Sequence, residues 1–290
     1  MKPKILIATA SFGELEPSML HDLNQSFDCV ANTKGRKLKP KELKQLISSV
    51  DGVIAGTEIY SPEVLADAKN LKVISRVGVG IDNIDLDFCS KNAIEVIATK
   101  TDLSFSVAEL VISLSLSFLR NIPHHFRDMQ NQNWERIMGE TINGKTIGIV
   151  GLGKIGKRLV ELASGFNLTV LACDPYQDME FSKKYSVKYC TMEELLEYSD
   201  IISIHASSEK INHPIISKDE LQLMKSTALL INTSRGANID ENALLYALQK
   251  KTIGGACLDV FSQEPYEGDF ANLDNVILTP HIGGYTSNVR

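Results

Sequence analysis

Thr146-Ile147-Gly148-Ile149-Val150-Gly151-Leu152-Gly153-Lys154-Ile155-Gly156 joins a five-residue apolar run to a G-x-G-x-x-G spacing and then to the amphipathic stretch 154–164. A strand, a tight glycine turn and a helix in that order form the fingerprint that binds the pyrophosphate of a dinucleotide. Gly151 permits the turn, Gly153 lets the main chain approach the phosphates, and Gly156 lets the helix lie close to the strand. The helix start adds unpaired N–H groups and a partial positive charge. Asp174 closes the next apolar run, 170–173, and stands 18 positions beyond Gly156, where an acid takes the ribose hydroxyls. A carboxylate there repels a 2′-phosphate and no arginine adjoins it, so the expected cofactor is NAD rather than NADP.

Outward from that motif, short β-branched runs alternate with amphipathic stretches, the pattern of helices covering a parallel sheet. On the N-terminal side, 5–8, 52–55, 73–75 and 96–97 read as strands, with helices over 40–49 and 62–69, each opened by an early proline. This set ends near residue 100. Residues 104–120 form a long apolar segment expected to be a helix, and 121–139 is a polar stretch holding the only tryptophan, Trp134. After the quoted motif, 169–172, 201–204, 228–231, 256–258 and 276–278 read as strands, which makes six with 146–150.

At 290 residues the chain has room for two domains, and its 43% hydrophobic content suits buried cores. The net charge of −6 argues against a nucleic-acid partner. Five dispersed cysteines without CxxC spacing suit a reducing cytoplasm and offer no metal site. Met1-Lys2-Pro3-Lys4 leads into too short an apolar run for a secretory leader. The most apolar stretch, 110–119, is half of what a bilayer span of about twenty residues needs, so no membrane association is expected.

Three segments beyond later strands carry the residues of a hydride-transfer site. Thr233-Ser234-Arg235-Gly236 supplies an arginine, Asp259-Val260-Phe261-Ser262-Gln263-Glu264-Pro265 a carboxylate, and Pro280-His281-Ile282-Gly283-Gly284 a histidine. All fall past strand carboxyl ends, where open α/β sheets bind ligands. His281 suits the base that takes a hydroxyl proton, Glu264 the partner that fixes its tautomer, and Arg235 the fork that holds a substrate carboxylate. Asp259 is expected at the carboxamide end of the cofactor. The His124-His125 pair has no metal-ligand partner in sight and reads as structural.

With these segments, Arg76-Val77-Gly78-Val79-Gly80-Ile81-Asp82-Asn83-Ile84-Asp85 and Ser106-Val107-Ala108-Glu109, the chain resembles the D-isomer-specific 2-hydroxyacid dehydrogenases over nearly its whole length, most closely their D-3-phosphoglycerate dehydrogenase-like branch. The resemblance implies an α/β fold of two Rossmann-like or flavodoxin-like parallel-sheet lobes with the active site in the cleft between them. A substrate lobe would cover 1–100 and an NAD lobe 101–285, with a homodimerisation segment over 101–140. Residues 286–290 would begin a return helix cut short at Arg290. It further implies catalytic Arg235, Glu264 and His281. Cofactor contacts would lie at Val79, Lys154, Ile155, Asp174, Ala206, Thr233, Ser234, Asp259, His281 and Gly283, in addition to Gly151, Gly153 and Gly156. Arg76, Val77, Gly78 and Gly80 would bind the substrate, the glycine loop cradling its carboxylate. One departure bears on substrate. The phosphate-binding arginine of the phosphoglycerate branch has Ile54 as its nearest counterpart, while Arg76 is retained. The implied activity is D-3-phosphoglycerate dehydrogenase-like, with a glyoxylate or hydroxypyruvate reductase as the alternative and a non-enzymatic, NAD-sensing corepressor-like protein as the reading from another class.

Overall fold

The computed structural model describes residues 2–10, 12–13, 16–206 and 213–287. The chain divides into two compact units, 1–102 and 103–289. In the first, β1 (Lys4–Ile7), α1 (Ser18–Ser26), β2 (Asp28–Ala31), α2 (Pro40–Ile47) and β3 (Gly52–Ala55) are followed by α3 (Pro62–Leu65), β4 (Val73–Arg76), α4 (Leu86–Lys91) and β5 (Glu95–Ala98). The strands form one parallel sheet in the order β2-β1-β3-β4-β5, the doubly wound order of flavodoxin-like folds.

The second unit opens with α5 (Ser104–Leu119) and α6 (Ile122–Gln130), then β6 (Thr146–Val150), α7 (Lys154–Ala163), β7 (Thr169–Cys173), α8 (Met179–Tyr185) and β8 (Val187–Tyr189). It continues with α9 (Met192–Tyr198), β9 (Ile201–Ile204), α10 (Lys218–Leu223), β10 (Leu229–Asn232), α11 (Glu241–Gln249), β11 (Gly255–Leu258) and β12 (Val276–Leu278). Its parallel sheet runs β12-β11-β10-β9-β6-β7-β8. Strand order reverses between β6 and β9, and ligands bind beyond the strand ends at such a switch point.

Period-two alternation explains why this sheet is buried on both faces. Ile202, Ile204, Leu230 and Leu258 point into one apolar cluster, while Ile201, Leu229, Ile231 and Cys257 point into the other. Each fully buried Leu or Ile contributes roughly 2 kcal/mol relative to exposure. α5 covers the second face: the Cys257 thiol lies 3.8 Å from the Leu114 carbonyl oxygen, and Val111 and Leu114 are buried in the same cluster.

The structure differs from the sequence reading in four places. The second sheet has seven strands among the described residues, because β8 joins it at the edge beside β7. β2 is a strand although its residues are only partly buried; it pairs with β1 alone. The polar stretch after α5 begins as a helix, α6, separated from α5 by Asn121 in the left-handed region (φ 52°) and opened by Pro123. α3 is a single turn rather than a helix to residue 69. The expected return helix over 286–290 falls mostly at 288–290, outside the described residues; residues 286 and 287 are not helical. Among the described residues no single helix is long and apolar enough to cross a membrane, and no cluster of side chains suits a metal ion.

Candidate active site

Between β6 and α7 the chain makes the turn that the glycine spacing requires. Gly151 has φ 91°, and a Cβ there would meet the Ala206 nitrogen at 2.8 Å. At Gly156 a Cβ would stand 2.7 Å from the Gly151 carbonyl oxygen, so helix and turn lie in backbone contact. Gly153, the residue before α7, has nothing within 4 Å of a Cβ position, leaving open the approach that a phosphate would use. Lys154 is exposed and Ile155 half-buried in the first turn of α7. Beside the turn lies a depression of about 540 Å³ lined by Leu152, Gly153, Lys157, Asp174, Tyr176 and Asp178. The Asp174 carboxylate is anchored there, accepting from the backbone N–H groups of Leu152 and Tyr176, both at 2.7 Å. At the end of β10 the buried Thr233 hydroxyl has no hydrogen-bond partner among the described residues. An open phosphate approach, an anchored acid and an unpaired buried hydroxyl fit a dinucleotide.

The ends of β10, β11 and β12 lie side by side in the sheet. On the outermost, His281 takes a left-handed backbone conformation (φ 55°), and its Nδ1 sits 3.0 Å from both Glu264 oxygens. Glu264 Oε1 also accepts from the Phe261 N–H at 3.3 Å. Arg235 follows β10, with its guanidinium donating to the Ser234 carbonyl at 2.7 Å.

Asp259 is tied into its own loop. Its side chain is fully buried, and its carboxylate accepts from Thr279 Oγ1 (2.6 Å), Ile282 N (2.8 Å) and Gly283 N (2.8 Å). Burial raises its pKa, while these donors pull the other way. Asp259 thereby shapes the loop that presents His281 and holds the Gly283 N–H.

Arg76, Val77, Gly78, Val79 and Gly80 belong to the first unit. The Arg76 guanidinium donates to the Val77 carbonyl oxygen, and Gly78 has φ 135°. Two of this loop's N–H groups are already used: Val77 donates to the Ala55 carbonyl oxygen at 2.8 Å and Gly78 to Thr99 Oγ1 at 3.1 Å. The anion cradle expected over 77–80 therefore narrows to the N–H groups of Val79 and Gly80. Asn83 ties this loop to the one after β3, donating to the carbonyl oxygens of Gly56 (3.1 Å) and Glu58 (2.6 Å).

The model of one family, "D-isomer specific 2-hydroxyacid dehydrogenase, NAD binding domain", matches residues 112–283. The chain belongs to the D-isomer specific 2-hydroxyacid dehydrogenases. It is an NAD-dependent oxidoreductase of that family. A glyoxylate reductase of Thermococcus litoralis is 35% identical, covering 100% of this dehydrogenase and 90% of its own length. A D-3-phosphoglycerate dehydrogenase of Methanocaldococcus jannaschii is 36% identical over 87% of this chain, which spans 49% of that relative. A D-lactate dehydrogenase of Aquifex aeolicus, solved with NAD and lactic acid, superposes with a TM-score of 0.85 at 28% identity, covering 99% of this chain and 90% of that one.

The dehydrogenase also contains a support network that motif reading missed. Buried Asn232 accepts from the Ser234 N–H and hydroxyl (3.0 and 2.7 Å) and donates to the Arg235 carbonyl oxygen at 2.8 Å. Buried Asn238 donates to the Ala206 carbonyl oxygen at 3.0 Å and to Ser234 Oγ at 2.8 Å. Two asparagines thus fix the turn carrying Thr233, Ser234 and Arg235. The available signal was a pair of amides six residues apart around an Arg-Gly turn, a polar excess beside a strand whose other residues are apolar.

Proposed function

We propose that this dehydrogenase interconverts a short, unphosphorylated D-2-hydroxy acid and its 2-oxo acid, with glyoxylate or hydroxypyruvate as the reducible partner. The observation that carries the proton chemistry is the 3.0 Å approach of His281 Nδ1 to the Glu264 carboxylate, on strand ends of the sheet that bears the glycine turn. With Nδ1–H donating to Glu264, Nε2 is left as the acceptor for the substrate hydroxyl proton, and the carboxylate stabilises the imidazolium that forms. Bound NAD supplies the hydride acceptor. Arg235 holds the substrate carboxylate through its planar fork and polarises the carbonyl in the reducing direction.

Substrate charge is argued from the loop after β3. Glu58 is 2% exposed, and its carboxyl accepts the Gly56 N–H at 2.8 Å. The buried Glu58 adds no cation to this loop, and the apolar Ile54 as the nearest counterpart of the phosphate-binding arginine supports an unphosphorylated substrate. D-3-phosphoglycerate is the second reading, favoured by Arg76 at the end of β4. The apolar surface of α6 and the segment after it, with Trp134 78% and Met138 94% exposed, supports a homodimer formed through that segment. Five free thiols among the described residues support a reducing, cytoplasmic setting.

NADH absorbance with D-glycerate, D-lactate, D-3-phosphoglycerate, glyoxylate and hydroxypyruvate tests the reading. Turnover of the unphosphorylated acids, falling by a factor of about 10³ or more in His281→Ala, is expected. Preference for the phosphorylated acid would overturn the substrate class. An undiminished His281→Ala variant would remove the proton relay, and no turnover with any acid would favour an NAD-sensing protein.

A further inference from the structure

Among the described residues lining the depression beside Asp174, Lys157 alone carries a positive charge. It lies on α7, one turn beyond the glycine loop, and on position alone it could neutralise a phosphate on the adenosine ribose. Its ammonium is committed elsewhere. It is bound 2.5 Å from Asp178 Oδ2 and lies 5.3 Å from the centroid of the Phe181 ring.

Asp178 is fixed on three sides. Its backbone N–H donates to the Tyr189 hydroxyl at 2.9 Å, and its other oxygen caps α8 by accepting the Phe181 N–H at 3.0 Å. Its carboxyl sits below the ordinary carboxylate range, first because of the Lys157 contact and next because of the Phe181 N–H. A carboxylate so placed cannot turn away to release its partner without giving up the helix cap.

We propose that the Lys157–Asp178 pair is a second determinant of cofactor choice, acting beside Asp174. Asp174 repels a 2′-phosphate directly, and Asp178 holds back the one cation among the described residues lining the depression. Cofactor discrimination then rests on two carboxylates that line the same depression. The inference depends only on the dinucleotide reading of the glycine turn and not on the substrate.

Direct binding of NADH and NADPH, followed by nicotinamide fluorescence, reads the effect without turnover. Asp178→Asn keeps a side chain suited to capping α8 and frees the ammonium. The ratio of the NADPH to the NADH dissociation constant is expected to fall by about tenfold, the size of one gained charge-assisted contact. In Asp178→Asn/Lys157→Gln the ratio is expected to return to the wild-type value, and Lys157→Gln alone is expected to leave it unchanged. Asp178→Ser serves as a second capping variant if the asparagine form does not fold. An unchanged ratio in a folded Asp178 variant, or a gain that survives loss of Lys157, overturns the proposal.

Discussion

At the scale of single residues, the buried Asp259 decides how firmly His281 is held. Its carboxylate receives three donors from the loop, and its main chain takes the His281 N–H at 2.9 Å. Asp259→Asn puts an amide NH₂ where an oxygen accepted, facing at least one donor with another. Removing a buried acceptor of this kind costs about 1–3 kcal/mol per group left unpaired. Thermal unfolding of this variant is expected several degrees below wild type, with a kcat lower by at least about tenfold because the imidazole is no longer fixed. A melting point within a degree of wild type would show that the loop holds itself. The sequence pointed to Asp259 through its place after a strand of the sheet that bears the glycine turn, but strand-end position does not report the loop hydrogen bonds that its carboxylate accepts. Glu264 and His281, argued from chemical complementarity, do meet in space.

At the scale of elements, sequence legibility followed burial. β6, β9, β10 and β11 were read with nearly their observed limits because strands covered on both faces must be continuously apolar. β2 and β8 were missed because each sits at a sheet edge, is at most four residues long and includes partly exposed positions, so neither shows a continuous apolar run. α6 was missed because its composition is polar and its exposed apolar residues read as scattered. The end of β9 makes its own prediction. Burial lowers the His205 pKa to about 4, and its Nε2 lies 2.9 Å from Ser203 Oγ. A histidine whose folded pKa lies below its unfolded value of about 6.5 adds stability above that value and loses it as pH falls toward 4. Urea unfolding is expected to show roughly 2 kcal/mol less stability at pH 4.5 than at pH 7 from this group. His205→Gln should remove that share, and an equal acid loss in both proteins would assign the effect to carboxylates.

For the whole molecule, the sequence reading gave the α/β class and two parallel sheets, since both follow from alternating runs. Alternating runs could not give assembly, which depends on surfaces that no core pattern encodes; the homodimer expectation came from the resemblance alone. Phe126, Met129, Trp134 and Met138 leave apolar area in water on and just after α6. Sedimentation at micromolar concentration is expected to give twice the monomer mass. Trp134→Asp with Met138→Asp is expected to shift the protein to monomer while leaving the far-ultraviolet spectrum unchanged. A wild-type monomer would require another explanation for that surface.

β12 is three residues long, only partly buried and bonded to a single neighbour, yet the histidine stands three positions beyond it. Peeling back the margin of a sheet requires far less free energy than melting its centre. If His281 handles the proton as proposed, that group sits beside a margin of the sheet that opens more readily than its centre. Heat would silence turnover through a local opening while six strands still hold, so inactivation and denaturation are two events with separate thresholds.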